Sequence, residues 1–427
     1  MKIRDIESKF ANKLINMSIM STTLGGDPEF FVVDSNGKAM SADTFFPGKN
    51  EPLVVGNGAY EERDGNKKED WNTLKLFFDG IQAEMNIGVN RCRELLCDNI
   101  HQCLRKASSI IKKHNDDSYS ILAQPSIKVR KSVIMRADPE ARRFGCAPDF
   151  NAYTGTVNTG EMDATNHPYR YAGGHIHIGR SSQYLAIEKK LVEEEENHIR
   201  LVKVMDLIVG ILCVLLDNSK YAIIRRSEYG KAGCFRPTPY GIEYRTPSCW
   251  WLKSPVLTSL IMGLARLSWS ITLYKLDQEL FKSIGYSPED IRGICDESDR
   301  KTALKVWENL RVHMSIAGSS KNPLNIKVVY RNAEQVSTSG NPRCGAVPKV
   351  VLSSKRKDSV FSLAAVEWLV RKGLKSIISP SIKDEWLIKP KSAFNGVTQG
   401  FFTSMSRRFY NNADFSKFQN SFLAEIV

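Results

Sequence analysis

The sequence predicts an α+β protein, and three observations predict it. Short segments with the period-two alternation of strands recur between residues 24 and 246, closely punctuated by Gly, Pro and Asn. Two longer stretches, about Ala186–Asp217 and Pro255–Leu276, carry apolar residues at helical spacing. The character changes beyond about Tyr286, where helix signals predominate.

In chain order, Leu24–Asp34 (LGGDPEFFVVD) reads as a turn feeding a strand, closed by the turn signal at Asp34–Gly37. Residues 49–70 are rich in Gly, Asn and charge and read as a loop or hairpin, before the alternation of Leu76–Ile87 and a helix over Arg93–Lys113. From Tyr119 to Arg180 come SILAQPSIKV, FGCAPDFNAYTG and RYAGGHIHIG, all strand-like. The acidic run Glu193–Glu196 reads as a solvated helix face, and Tyr240–Thr246 as a strand. Trp250 and Trp251 are expected in the core where that strand meets the helix starting at Pro255, which packs on the sheet. Ser287-Pro-Glu-Asp290 is a capped helix start. A Ser/Gly/Asn-rich stretch follows near 316–344, then a helical run over Ser359–Lys375 and a basic aromatic tail at Ser406–Tyr410. These signals divide the chain into an arm (1–23), a main body (24–285) and a mainly helical accessory region (286–427). No internal repeat is present, which argues against solenoids and propellers.

Composition narrows the class. The 427 residues are 42% hydrophobic and 25% charged, which is globular and far from disorder. The longest apolar run, Leu207–Leu216, is too short to span a bilayer, and the N-terminus lacks the apolar core and cleavage site of a secretory signal, so a cytoplasmic protein without a membrane partner is expected. Nine scattered cysteines without a CxxC pair fit reduced thiols. Lys and Arg outnumber Asp and Glu, 60 to 47, and the net charge of +13 favours anionic partners such as nucleotides, nucleic acid or acidic substrates without choosing among them.

Four strand-like segments place polar residues at i and i+2: Asp27/Glu29, Gln82/Glu84/Asn86, His175/His177 and Glu243/Arg245. Strand periodicity puts each set on one face, with Phe30, Ile81, Met85, Ile176, Ile178, Ile242 and Tyr244 on the other or flanking it. Several buried carboxylates without counter-charge are costly, and divalent cations are the simplest way to neutralise them. Carboxylates with an imidazole and no thiolate suit Mg2+ or Mn2+, with phosphate oxygens of ATP completing the shell. Neither GxxxxGK[ST] nor GxGxxG occurs, so nucleotide binding must come from sheet, metals and arginines.

The segments GGDPEFF, DGIQAEMNI, FGCAPDFNAYTG, YRYAGGHIHIG and RPTPYGIEYRTPSCWW, in this order, resemble the phage-type COOH-NH2 ligase type 2 (amidoligase) family of the glutamine synthetase and glutamate-cysteine ligase superfamily. The resemblance covers roughly residues 24–275. It implies a curved, mostly antiparallel, half-barrel catalytic sheet backed by helices. It also implies an ATP-dependent carboxylate-amine ligase working through an acyl phosphate that an amine attacks. Glu29 and Glu84 would hold one metal, and Asp27, His175 and Glu243 a second that bridges the terminal phosphates of ATP. Asp27 stands where glutamine synthetases usually carry Glu, so its shorter side chain shifts the ion or leaves room for a water. His177 would bind phosphate or support a ligand, while Arg245, and Arg236 beside it, would neutralise the transferring phosphoryl group. A base for the amine is left among Glu62, Asp64 and Asp149. A phage-encoded chain would act in the host cytoplasm or ride in the virion.

Each signal has a plainer reading. DPEF is usually only a turn, Glu243/Arg245 is an ordinary charged pair, and the glycines at 173, 174 and 179 mark bulges or close packing. HxH also occurs in cupins and metal-dependent hydrolases, which need more histidines than this seven-His chain offers. His101, His114, His167, His198 and His313 lack ligand spacing. The joint pattern favours the enzyme over its rival, a catalytically silent, basic, virion-associated or nucleic-acid-binding protein on the same fold. The identity of acid and amine, a macromolecular substrate and the oligomeric state are left open.

Overall fold

The computed structural model describes residues 22–58, 73–90, 93–114, 118–144, 149–158, 164–180, 192–253, 255–273, 275–313, 328–331 and 347–350. The tail Ser406–Tyr410, the run Ser359–Lys375 and the arm up to residue 21 lie outside them.

Two antiparallel sheets form the body. The seven-stranded sheet runs, from edge to edge, Val157–Asn158, Asp149–Asn151, Cys234–Thr238, Gly241–Tyr244, Ile176–Arg180, Thr22–Gly26 and Val89–Asn90. The six-stranded one is ordered Ala39–Met40, Glu29–Asp34, Gln82–Asn86, Thr73–Asp79 and Leu53–Asn57, with Tyr119–Leu122 also paired to Glu29–Asp34. The chain crosses from one sheet to the other at Asp27-Pro28, between Thr22–Gly26 and Glu29–Asp34. The fold is therefore α+β and antiparallel, as expected.

Three strand-like readings split where a turn intervenes. The alternation of Leu76–Ile87 is a hairpin, folded at Gly80 with φ +71°, a left-handed value that glycine adopts without strain. SILAQPSIKV breaks at Gln124-Pro125 into Tyr119–Leu122 and Ser126–Lys128. RYAGGHIHIG likewise gives Tyr169–Tyr171, paired with Ser126–Lys128, and Ile176–Arg180 in the large sheet.

The apolar faces turn away from the polar sets. Phe30, Ile81, Met85, Ile176, Ile178, Ile242 and Tyr244 are fully buried in one core with the helices Arg93–His114 and Pro255–Leu273. Each large side chain so buried contributes about 1.5–3 kcal/mol. The helical stretch ending at Leu216 runs as Glu195–Met205, a π-helical turn Asp206–Gly210 and Ile211–Leu216, with Glu193–Glu196 solvated. Helices Pro288–Asp296, opened by the Ser287/Asp290 capping box, and Arg300–His313 pack their apolar faces (Ile291, Ile294, Val306, Trp307) into this same core. Farther on, Val328–Arg331 pairs with Val347–Val350. No described helix is long and apolar enough to cross a membrane, and every described cysteine is buried and outside any disulfide.

Candidate active site: two carboxylate groups at the seam of the sheets

The seam at Asp27-Pro28 brings the polar faces of both sheets together. On the small sheet Glu29 lies opposite Glu84 in register, and Asp79 comes in from the end of the neighbouring strand Thr73–Asp79. On the large sheet His177 lies opposite Glu243, which is opposite Arg236 in turn. Short-range periodicity set the facing of these side chains; strand pairing between distant segments set their neighbours.

Backbone contacts hold the seam closed. The Glu29 amide donates to the Gly173 carbonyl at 2.9 Å, and the Gly173 amide donates back to Glu29 Oε2 at 2.5 Å. Gly174 has no room for a side chain, because a Cβ there would strike the Ser248 carbonyl and the Trp251 indole. That indole donates to the Gly174 carbonyl at 3.0 Å. Trp250 and Trp251 are thus core residues, and Trp251 also fixes the turn that presents His175.

Two donor groups result. Asp27, His175 and Glu243 form one, and Glu29, Asp79 and Glu84 the other; within each, one ligand atom per residue lies within 4.8 Å of the rest. His175 Nδ1 is 3.3 Å from Asp27 Oδ1 and 3.4 Å from Glu243 Oε1. Glu243 also accepts from Arg236 Nη1 at 2.8 Å and closely from Arg245 Nη1. Arg245 continues to Asp149 Oδ2, 3.3 Å from its Nε, and to the Tyr229 hydroxyl at 2.7 Å, which is 3.0 Å from His175 Nε2. His177 Nε2 lies 3.4 Å from Asp27 Oδ1, and its Nδ1 meets the Tyr240 hydroxyl at 2.6 Å, so the ring supports Asp27 from the side. A cleft opens on Asp27 and His175 of the first group and on all three residues of the second, with Arg236, Arg245, Lys49, Tyr171 and Tyr229 in its walls.

The electrostatics are those of carboxylates short of positive charge. Burial, and then the neighbouring Asp79, push the Glu29 carboxyl up to about 8. Burial and then Asp27 raise Glu84 well above the carboxylate range, against the pull of Lys49. The Lys49 ammonium stands 3.8 Å from Asp79 and 3.9 Å from Glu84, on a side chain that is 63% exposed. In the other group burial also opposes the charge on Asp27, but His177 and His175 outweigh it and hold that carboxyl low. Burial and then Arg245 depress His175, leaving a neutral imidazole suited to ligation. Hard oxygens with one neutral imidazole fit Mg2+ or Mn2+, and the raised carboxyls of the second group mark charge that a cation would relieve.

All eight residues expected at the site (Asp27, Glu29, Glu84, His175, His177, Arg236, Glu243 and Arg245) converge on this seam. Of the three suggested bases, Asp149 pairs with Arg245, whereas Glu62 and Asp64 lie outside the described residues. Sequence reasoning passed over Asp79, Lys49 and Tyr229. Asp79 had a signal, since it precedes the hairpin glycine and faces Gln82 in register; Lys49 in a loop and Tyr229 at a helix end had none.

A two-sheet α+β body with a carboxylate-imidazole seam is the class that fold and geometry define. Residues 156–287 match the family model described as "Phage phiEco32-like COOH.NH2 ligase-type 2", so the family recognised from the motifs is borne out over that segment, which holds His175, Arg236, Glu243 and Arg245. No curated protein matches the chain. Among solved structures it is similar to a bifunctional glutathione synthetase from Pasteurella multocida, at 11% identity over 74% of this chain and 49% of that one, with a TM-score of 0.37. It is similar also to a glutamine synthase homolog, at 10% identity over 75% of this chain and 73% of that one, with a TM-score of 0.29. The chain thus spans about half the length of the glutathione synthetase. Superpositions this loose add no weight to the reading of the site.

Proposed function

We propose that the protein is an ATP-dependent carboxylate-amine ligase whose reaction passes through an acyl phosphate. The observation that carries this reading is the adjacency, at one seam, of two three-residue donor groups and two arginines. The family description of residues 156–287 supports a carboxylate-amine ligase in general terms, and the rival reading of a silent binding protein gains no support from the comparisons.

Asp27, His175 and Glu243 would hold one divalent ion, and Glu29, Glu84 and Asp79 a second. Ions held there would supply Lewis-acid charge to phosphate oxygens. Arg236 and Arg245, both anchored on Glu243, present guanidinium donors to the γ-phosphoryl group as it passes to the substrate carboxylate. The acyl phosphate is then attacked by the amine, forming the amide and releasing phosphate, with ADP as the other product. The amine proton would pass to a carboxylate, and of the three suggested Asp149, paired with Arg245, is the one among the described residues. His177 keeps Asp27 ionised and aimed at His175. The body 24–285 carries this chemistry and residues 286–427 accompany it; anionic acids, small or macromolecular, suit the net charge of +13.

The test is Mg2+-dependent ADP release over a panel of acid and amine pairs, with Glu29→Gln and Glu243→Gln as controls. At least one pair should give turnover that each substitution lowers by about a hundredfold or more. Should no pair give turnover that these changes abolish, the ligase reading falls.

A further inference from the structure

The Tyr229 hydroxyl touches both a ligand-type imidazole and a phosphate-facing arginine. We propose that Tyr229 is a positioning residue that satisfies the outer nitrogen of His175 in both of its tautomers and ties that ring to Arg245.

The hydroxyl is held where it is. Tyr229 follows the helix Lys220–Glu228 in extended conformation, and its amide donates to the Arg225 carbonyl at 2.6 Å. Its ring lies near-parallel to Tyr171, at 19° with centroids 6.4 Å apart, and the Arg225 guanidinium packs on it 4.9 Å from the centroid. Arg225 is itself buried and donates to the carbonyls of Arg245, Thr246 and Pro247. One buried cation therefore fixes both Tyr229 and the backbone after Glu243.

Donor and acceptor capacities settle the protons. Arg245 Nη2 donates to the Tyr229 oxygen at 2.7 Å, and a guanidinium cannot accept, so the phenolic proton points elsewhere. His175 Nε2 is there at 3.0 Å. The other ring nitrogen, Nδ1, faces Asp27 and Glu243 at 3.3 and 3.4 Å, and a bare lone pair between two carboxylates would be repelled. With a neutral imidazole, Nδ1 bears the proton, Nε2 is bare, and Tyr229 donates to it. A cation on Nδ1 requires the reverse: one proton leaves Nδ1, one is taken up at Nε2, and Nε2–H donates to the Tyr229 oxygen while the phenolic proton turns away. A tyrosine oxygen serves both arrangements; a phenyl ring serves neither. Only the second arrangement rests on the metal reading above.

The experiment is nitrogen NMR of His175 in full-length protein with 15N-labelled histidine, the signals assigned by their loss in His175→Asn. Without metal, the parent should show a protonated Nδ1 and a bare, hydrogen-bonded Nε2, and Tyr229→Phe should move the Nε2 resonance to that of a bare nitrogen with no donor. A protonated Nε2 in the metal-free parent overturns the proposal, as does an Nε2 signal that Tyr229→Phe leaves in place; the parent spectrum decides even if the variant fails to fold. With Mn2+ as probe, Tyr229→Phe should weaken binding about tenfold to a hundredfold. Equal affinity in parent and variant also overturns the proposal. A parent that binds no Mn2+ instead overturns the metal reading, and the metal-free spectrum then decides Tyr229 alone.

Discussion

Glu29, Asp79 and Glu84 converge, with the Lys49 ammonium, on a largely exposed side chain, beside Asp79 and Glu84. Burial and the neighbouring acids hold Glu29 and Glu84 protonated near neutral pH, a cost in the metal-free state that a bound cation would remove. Asp79→Asn should therefore raise the stability of the metal-free protein by on the order of 1 kcal/mol while weakening Mn2+ binding. Thermal melts with EDTA and Mn2+ titration of the same samples check both signs; a variant less stable without metal would contradict the account. Gly174→Ala should act in the opposite sense, since its Cβ would meet backbone and indole, and lower stability by about 1–3 kcal/mol in a denaturant titration. At this scale much was legible. Spacing at i and i+2 marks Glu29, Glu84, His175 and Glu243, because a strand turns such pairs to one face whatever the rest of the chain does. Tyr229 was not, because its role depends on Arg225, His175 and Arg245 meeting it from three different elements.

The π-helical turn Asp206–Gly210 lies behind the strand Gly241–Tyr244, and the Tyr244 hydroxyl donates to Asp206 Oδ1 at 2.7 Å. Burial pushes the Asp206 carboxyl up to about 7, against the hydrogen bond from Tyr244. The unfolded chain gives up this proton near 3.8 and the folded one only near 7, so the folded state binds the extra proton between those values. Its contribution to stability is thus complete below about 3.8 and is lost as pH rises to about 7, by roughly 4 kcal/mol in all. Asp206→Asn keeps an acceptor for Tyr244 and removes the titration, so denaturant melts from pH 5 to pH 8 should show a flatter profile in the variant; an unchanged slope would contradict this. The Ser287 capping box predicts a loss of about 1 kcal/mol for Ser287→Ala, read the same way. The Ser-Pro-Glu-Asp cap and the helix over Arg93–Lys113 were plain in the sequence because their signals are local. The π turn was not, since apolar periodicity from Val202 to Leu216 looks the same through one extra residue per turn.

For the whole molecule, the site exists only through topology. Glu243 meets His175 because Gly241–Tyr244 pairs with Ile176–Arg180, and both meet Asp27 because Thr22–Gly26 pairs with Ile176–Arg180 on its other side. Periodicity gives each strand's polar face but not this order, and it does not reveal that the polar faces belong to two sheets joined at Asp27-Pro28; only the motif order carried that information. Binding to groups that join across the seam should stabilise the whole body, so excess Mg2+ or Mn2+ should raise the melting temperature and EDTA reverse it. The most direct test of the convergence is anomalous diffraction from crystals soaked in Mn2+. Two peaks are expected, one at about 2.0–2.3 Å from ligand atoms of Asp27, His175 and Glu243 and the other likewise among Glu29, Asp79 and Glu84. Manganese confined to surface acids such as Glu193–Glu196, with neither group occupied, would contradict it.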